Sequence, residues 1–169
     1  MRLESFEAIV RALNQAAVPF LVVGGVAVNA HGYGRLTNYV DIVIRLRPAT
    51  IASAFQSLAS VGYVPRVPIT AEQFSDATQR AFWIAERQMQ VLNFSSNRHR
   101  ETQIDMFVQE PFDFDTEYAN AVVHRLADDV PVRIVRLDAL IKLKREAGRP
   151  QDLTDVAELL AIRGERADD

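Results

Sequence analysis

The feature that most constrains this chain is a run of four apolar residues, Phe20-Leu21-Val22-Val23, halted by Gly24-Gly25. A run this short and uniformly apolar suits a strand buried on both faces. The glycines end it, and the small residues from Val26 to Ala30 predict a helix directly behind. Gly32-Tyr33-Gly34 then reads as a loop. Tyr39 to Leu46 predicts a second strand. Val40, Ile42 and Ile44 fall on one face of it, and Tyr39, Asp41, Val43 and Arg45 on the other.

The rest of the chain can be read around this unit. Leu3, Phe6, Val10 and Leu13 recur at helical spacing and predict an amphipathic helix over residues 2–16. Pro48 suits the first turn of a helix that runs to Ser60, before Gly62. Residues 70–79 predict a short helix, followed by strands at Ala81–Ala85, Met89–Phe94 and Gln103–Val108. The polar segment SSNRHRE (95–101) turns the chain between the last two. A hairpin is expected over residues 121–135 around Asp128-Asp129, with Pro131 near the start of the returning strand. Helices are expected at Leu137–Ala147 and Gln151–Arg163, broken at Gly148-Arg149-Pro150, with GERADD as a frayed tail. This order predicts an α/β (α+β) fold: a mixed sheet flanked by helices, carrying a C-terminal helical hairpin. The expected division is a domain over residues 1–136 with helices of 137–169 packed on it as one unit.

Composition narrows the function classes. The chain has no cysteine, which removes disulfides and thiolate metal sites and fits a cytoplasmic setting. Its net charge of -3 does not announce a nucleic-acid partner. The N-terminus MRLESFEAIVRAL carries acids and has no long apolar run, so neither a signal peptide nor a membrane span is expected.

The stretch Phe20 to Arg45, FLVVGGVAVNAHGYGRLTNYVDIVIR, carries the chemistry. A buried strand ending in Gly-Gly and feeding a helix lets backbone N–H groups come close to a phosphate. A neighbouring strand with carboxylates at alternate positions on one face can chelate a hard cation. Together they would bring a nucleoside triphosphate and its magnesium into contact.

These residues resemble the nucleotidyltransferase superfamily, the polymerase-beta-like fold. They look most like its small bacterial branch of abortive-infection (AbiE-type) toxin nucleotidyltransferases. The superfamily pattern is an apolar strand, Gly-Gly or Gly-Ser, about a dozen residues, then Asp-x-Asp on the next strand. Gly24-Gly25 and Asp41 match it, and Arg35-Leu36-Thr37 matches the Arg-x-Thr that this branch places before the acidic pair. A third carboxylate on a later strand corresponds to Asp105, in TQIDMFV. The run KREAGRPQDLTD from Lys144 to Asp155 is similar to the branch's Lys…Ala-Gly-Arg…Asp…Asp pattern.

The resemblance implies transfer of NMP from an NTP to an acceptor (tRNA, protein or small molecule), with release of pyrophosphate. It implies Mg2+ or Mn2+ at Asp41 and Asp105, phosphates cradled by Gly24 and Gly25, and phosphate or acceptor contacts from Arg35, Thr37 and Lys144. A toxin-like role with an antitoxin partner belongs to the same implication.

One position departs from the pattern: Tyr39 stands where the first Asp of the pair belongs. A phenol with an ordinary pKa of about 10 does not replace a carboxylate ligand at neutral pH. Catalysis is therefore expected to be impaired. Either Tyr39 is native to a member that binds nucleotide as a regulatory or scaffolding module, or it is a substitution that disarms an enzyme. A third reading is a plain interaction domain whose helical hairpin docks a partner.

Ordinary readings exist for each residue. Asp41 and Asp105 can be surface acids on a sheet face, and Arg35 and Thr37 a solvated loop with its turn hydrogen bond. Lys144 can be a solvent-facing helix lysine, Asp152 a helix N-terminal charge, and Arg149 likewise a surface charge. His31, His99 and His124 show no metal-ligand spacing. Phe82 and Trp83 read as packing residues, and Arg98-His99-Arg100 as a solvated turn.

Overall fold

The computed structural model describes residues 1–127 and 129–164. Asp128 of the expected hairpin turn and residues 165–169 of the expected tail lie outside the described residues. The elements run α1 (Leu3–Gln15), β1 (Phe20–Val23), α2 (Gly24–Ala30), β2 (Tyr39–Ile44), α3 (Pro48–Ser60), β3 (Tyr63–Pro65), α4 (Ala71–Ser75) and α5 (Ala77–Arg87). They continue with β4 (Val91–Ser96), β5 (Gln103–Phe107), α6 (Phe114–Ala119), β6 (Val122–Leu126), β7 (Val130–Ile134), α7 (Leu137–Ala147) and α8 (Pro150–Ile162).

The strands form one mixed sheet in the order β3-β4-β5-β2-β1-β7-β6. β1 pairs antiparallel with β2 and parallel with β7, and β2 pairs parallel with β5. The fully buried run Phe20–Val23 thus sits near the centre of the sheet, as its uniform apolarity requires. The alternation in β2 sends Val40, Ile42 and Ile44 into the core, where all three are completely buried. On that face Phe55 of α3 packs edge-on to Phe94 of β4 at 5.2 Å, and α1 lies beside α3. The other face of β2 and β5 stays open enough to line a cleft, and α7 forms its far wall.

Three segments differ from the sequence reading. Ala81–Ala85, expected as a strand, lies inside α5. Asp76 caps that helix by accepting from the N–H groups of Thr78 and Gln79; Arg80 and Trp83 are buried, and Ile84 packs half-buried against the core. A five-residue apolar run does not by itself distinguish strand from buried helix, and the cap decides it here. β3 is only three residues long and ends on Pro65, which the edge of a sheet tolerates. α6 starts from Asp113, whose side chain accepts from the Thr116 N–H, a cap in a stretch that the sequence reading left without structure.

The C-terminal hairpin follows from two amphipathic stripes. Leu140, Ile141 and Lys144 of α7 are buried, as are Asp152, Asp155, Val156, Leu159 and Leu160 of α8. Gly148, at φ +63°, turns the chain between the helices, and Pro150 opens the second. Leu140, Val156 and Leu159 belong to the same apolar core as the sheet. Among the described residues no helix is long and apolar enough to cross a membrane.

Candidate active site

A single lateral row across the sheet builds the site. Val23 pairs with Asp41, Asp41 with Asp105, and Asp105 with Asn93. Residues directly opposite one another point to the same face, so the two carboxylates stand side by side. The row continues one strand further, where the Arg66 N–H donates to the Asn93 carbonyl at 2.9 Å.

Gly24 closes the row at the end of β1. It holds φ +63°, and a Cβ there would lie 2.0 Å from Asp41 Oδ2. Glycine is therefore required twice, for the backbone conformation and for the approach of Asp41. At Gly25 a Cβ would meet Thr37 Oγ1 at 3.0 Å and the Arg35 guanidinium at 3.1 Å. The Gly25 N–H donates to the Asp41 carboxylate.

The carboxylate pair is electrostatically uncomfortable. Burial raises the Asp41 pKa, and the charge of Asp105 raises it further, to about 6. Lys144, the Gly25 N–H and Arg149 offset only part of this. Burial also raises Asp105, against a hydrogen bond from Asn93 Nδ2 at 2.6 Å. Two more acceptors adjoin them: Asn93 Oδ1 and Gln103 Oε1 are buried with no hydrogen-bond partner. This all-oxygen set suits a hard cation or a donating hydroxyl. Among the described residues no group of three or more His, Cys, Asp or Glu side chains is placed to hold a metal.

The opposite wall is cationic and tightly tied. Lys144 Nζ lies 2.8 Å from Asp152 Oδ1 and 2.9 Å from Asp155 Oδ2. Arg35 reaches the same Asp155 at 2.8 Å, Arg149 donates to Asp152 at 2.6 Å, and Gln151 donates to Asp155 at 2.9 Å. Lys144 is thus buried, not the solvent-facing helix lysine of the ordinary reading. Asp152 stands in the first turn of α8, as a helix-terminal charge would, yet is also buried in this network.

Gly24, Gly25, Arg35, Thr37, Tyr39, Asp41, Asp105 and Lys144 all line one cleft of about 630 Å³. Tyr39 is 43% exposed at its edge, paired in register with Gln103. Thr37 Oγ1 makes the local turn bond, donating to the Tyr39 carbonyl at 3.2 Å, and still lines the cleft. The histidines stay outside it: His31 bonds the Val135 carbonyl, and His99 bonds Ser5 while stacking on Tyr63. Trp83 is core, whereas Phe82 is half exposed.

The sequence reading missed Asn93 and Arg66. Asn93 carried a signal: it is a polar amide inside the alternating strand VLNFSS, beside the position of Asp105. Arg66 follows a strand too short to be recognised, and nothing marked it.

No protein-family model and no curated protein matches the chain. Solved structures do. The solution structure of the antibiotic-resistance factor ANT(2'')-Ia is 14% identical, with a TM-score of 0.57, over 95% of this chain and 80% of that one. A crystal structure of ANT(2'')-Ia in complex with adenylyl-2''-tobramycin is 11% identical, with a TM-score of 0.58, over 94% and 87%. An antigenic nucleotidyltransferase-like protein from Paracoccidioides brasiliensis is 14% identical, with a TM-score of 0.53, over 95% and 74%. At these identities the likeness establishes the nucleotidyltransferase fold, while the chemistry must be argued from the cleft.

Proposed function

We propose that this chain binds a metal–nucleoside triphosphate in the cleft between its sheet and its C-terminal hairpin, and that its architecture is one for NMP transfer to a hydroxyl acceptor. The observation that carries this reading is the register of Asp41 with Asp105 on adjacent parallel strands, beside a glycine that no larger residue can replace.

Asp41 and Asp105 would hold a magnesium or manganese ion, which is commonly bound by one or two carboxylates together with substrate phosphates. When bound, that ion neutralises charge on the phosphates. Gly24 and Gly25 leave the backbone open to the triphosphate. Arg35, Thr37 and Lys144 line the same side, with Arg35 and Lys144 fixed by Asp155. In the transfer step an acceptor hydroxyl oxygen bonds to the α-phosphorus. The bond from that phosphorus to the bridging oxygen breaks, and pyrophosphate leaves with the electron pair. Asp105, which adjoins Asn93 at the side of the cleft away from Gly24, would take the hydroxyl proton and pass it to solvent. Residues 1–136 and 137–169 act as one unit here, the hairpin supplying the cationic wall.

Tyr39 favours a second reading. It stands at the edge of the cleft without a charge to offer a cation, which supports a nucleotide-binding module with weak or no turnover. The abortive-infection branch, with a cytoplasmic toxin-like role, a tRNA or protein acceptor and an antitoxin partner, draws support from the meeting of its two motifs. Arg35 and Lys144 converge on Asp155.

The test compares the chain with Tyr39→Asp, using each of the four α-labelled NTPs with magnesium, bulk tRNA and cell lysate. The expected result is binding by both forms, with label transfer on the order of a hundredfold faster in Tyr39→Asp. Binding without transfer in both favours the regulatory module. No nucleotide binding by either form removes the proposal.

A further inference from the structure

We infer that a second cleft, on the Asp105 side of the first, is the acceptor subsite, and that it takes a small hydroxy compound with an apolar body and an anionic group. This rests on the nucleotide-transfer reading above. The second cleft also measures about 630 Å³ and shares Arg66 and Asn93 with the first. The order across the sheet gives the direction. Gly24 lies at one end of the row, Asp41 and Asp105 in the middle, and Asn93 and Arg66 at the other end. A triphosphate on the glycine side therefore leaves the Arg66 side for the molecule that attacks it.

The chemistry of the second cleft defines the occupant. Trp83, Met89, Val91 and Leu92 give it an apolar floor. Arg66 and Arg87 are exposed at its rim, and among the described residues neither forms an ion pair and no carboxylate lines the cleft. Two unneutralised guanidinium groups select a carboxylate or phosphate and repel an amine. At the junction, Asn93 donates to Asp105 through Nδ2, while its buried Oδ1 lacks a donor. A hydroxyl entering from the second cleft can donate to that oxygen as it docks, and rotation of the O–H then turns its one proton from Asn93 to the adjacent Asp105 carboxylate, which receives it. A polycationic acceptor such as tobramycin is the wrong charge for this surface.

Trp83 is the chain's one tryptophan, so its fluorescence reports this cleft independently of turnover. The probe is 4-(hydroxymethyl)benzoate, with 4-(hydroxymethyl)benzylamine as its cationic counterpart. Both are titrated with and without magnesium and NTP, whose own binding is followed by calorimetry. The expected result is a saturable Trp83 change with the carboxylate, at least about tenfold tighter than with the amine. Arg87→Gln should weaken the carboxylate by about tenfold, the value of one charge-assisted contact. Arg87 is exposed, and the thermal melting of the variant checks that it folds. Equal or tighter binding of the amine, or no saturable change with either probe, overturns the subsite while nucleotide binding still supports the reading beneath it. Carboxylate binding in a chain that binds no NTP overturns the acceptor role together with that reading.

Discussion

The two walls of the first cleft use the same residue type to opposite effect. On the sheet wall, Asp41 and Asp105 stand in register, and both have raised pKa values. On the hairpin wall, Asp152 and Asp155 expose almost no surface, and both have lowered ones. Burial pushes all four upward. Hydrogen bonds from Arg149 and Lys144 to Asp152, and from Lys144, Gln151 and Arg35 to Asp155, more than reverse it on the hairpin. The contrast separates roles that burial alone would confuse. The hairpin acids are spent on holding cations in place, whereas the sheet acids retain unspent negative charge, which a bound cation would satisfy.

The sharpest way to break this comparison is Asp155→Asn. The carboxylate is completely buried and joins Lys144 to Arg35. Its loss leaves Arg35 without its carboxylate and Lys144 with Asp152 alone, and removing one partner of a buried pair costs about 3–5 kcal/mol. Urea denaturation at neutral pH should show a loss of that size; a loss below about 1 kcal/mol would mean that solvent already screens the network. The next largest effect is expected from Gly24→Ala. The positive φ and the 2.0 Å approach of a Cβ to Asp41 together should cost at least about 2 kcal/mol and abolish magnesium–nucleotide binding. A variant with wild-type melting and nucleotide affinity would show that Asp41 has room to move away.

How far these walls were legible in the sequence follows from periodicity. The period-two alternation of β2 and β5 placed Asp41 and Asp105 opposite their apolar neighbours, and the structure has them there. The order of elements was sufficient to read a mixed sheet with a helical hairpin. The burial of Lys144, Asp152 and Asp155 was written in the helical stripes as well. Lys144 follows Leu140 by four residues, and Asp152 and Asp155 lead into Val156, Leu159 and Leu160. Charged residue type masked the signal, because such side chains are rarely buried unless paired. Lys144, Arg149 and Gln151 lie close to these acids in sequence, but Arg35 is 120 residues from Asp155, a separation that no local pattern reports. Asn93 and Arg66 enter the site only through strand pairing, so their place depended on a register that the sequence reading did not contain.

A smaller effect, of opposite sign, is expected on the sheet wall. Asp41→Asn removes one of two repelling carboxylates and should raise stability by about 1 kcal/mol at neutral pH without metal, while weakening magnesium–nucleotide binding. Destabilisation in the same denaturation experiment would mean that the Gly25 N–H bond to the carboxylate outweighs the repulsion.

The finest test of the comparison is pH. Asp152 and Asp155 have folded pKa values below their unfolded ones, so the folded state binds fewer protons. Their contribution is fully present above the unfolded value of about 3.9 and fades as pH falls through it toward the depressed folded value. The stability gap between this chain and its Asp155→Asn variant should therefore be widest above about pH 5 and narrow toward pH 3. Urea titrations at pH 3, 4, 5 and 7 measure that gap. If it stays constant, the Asp155 side chain acts through its shape and hydrogen bonds, and the two walls do not differ by charge. If it narrows, the charge on the hairpin wall holds Arg35 and Lys144 in place, and acid should loosen both before it unfolds the sheet.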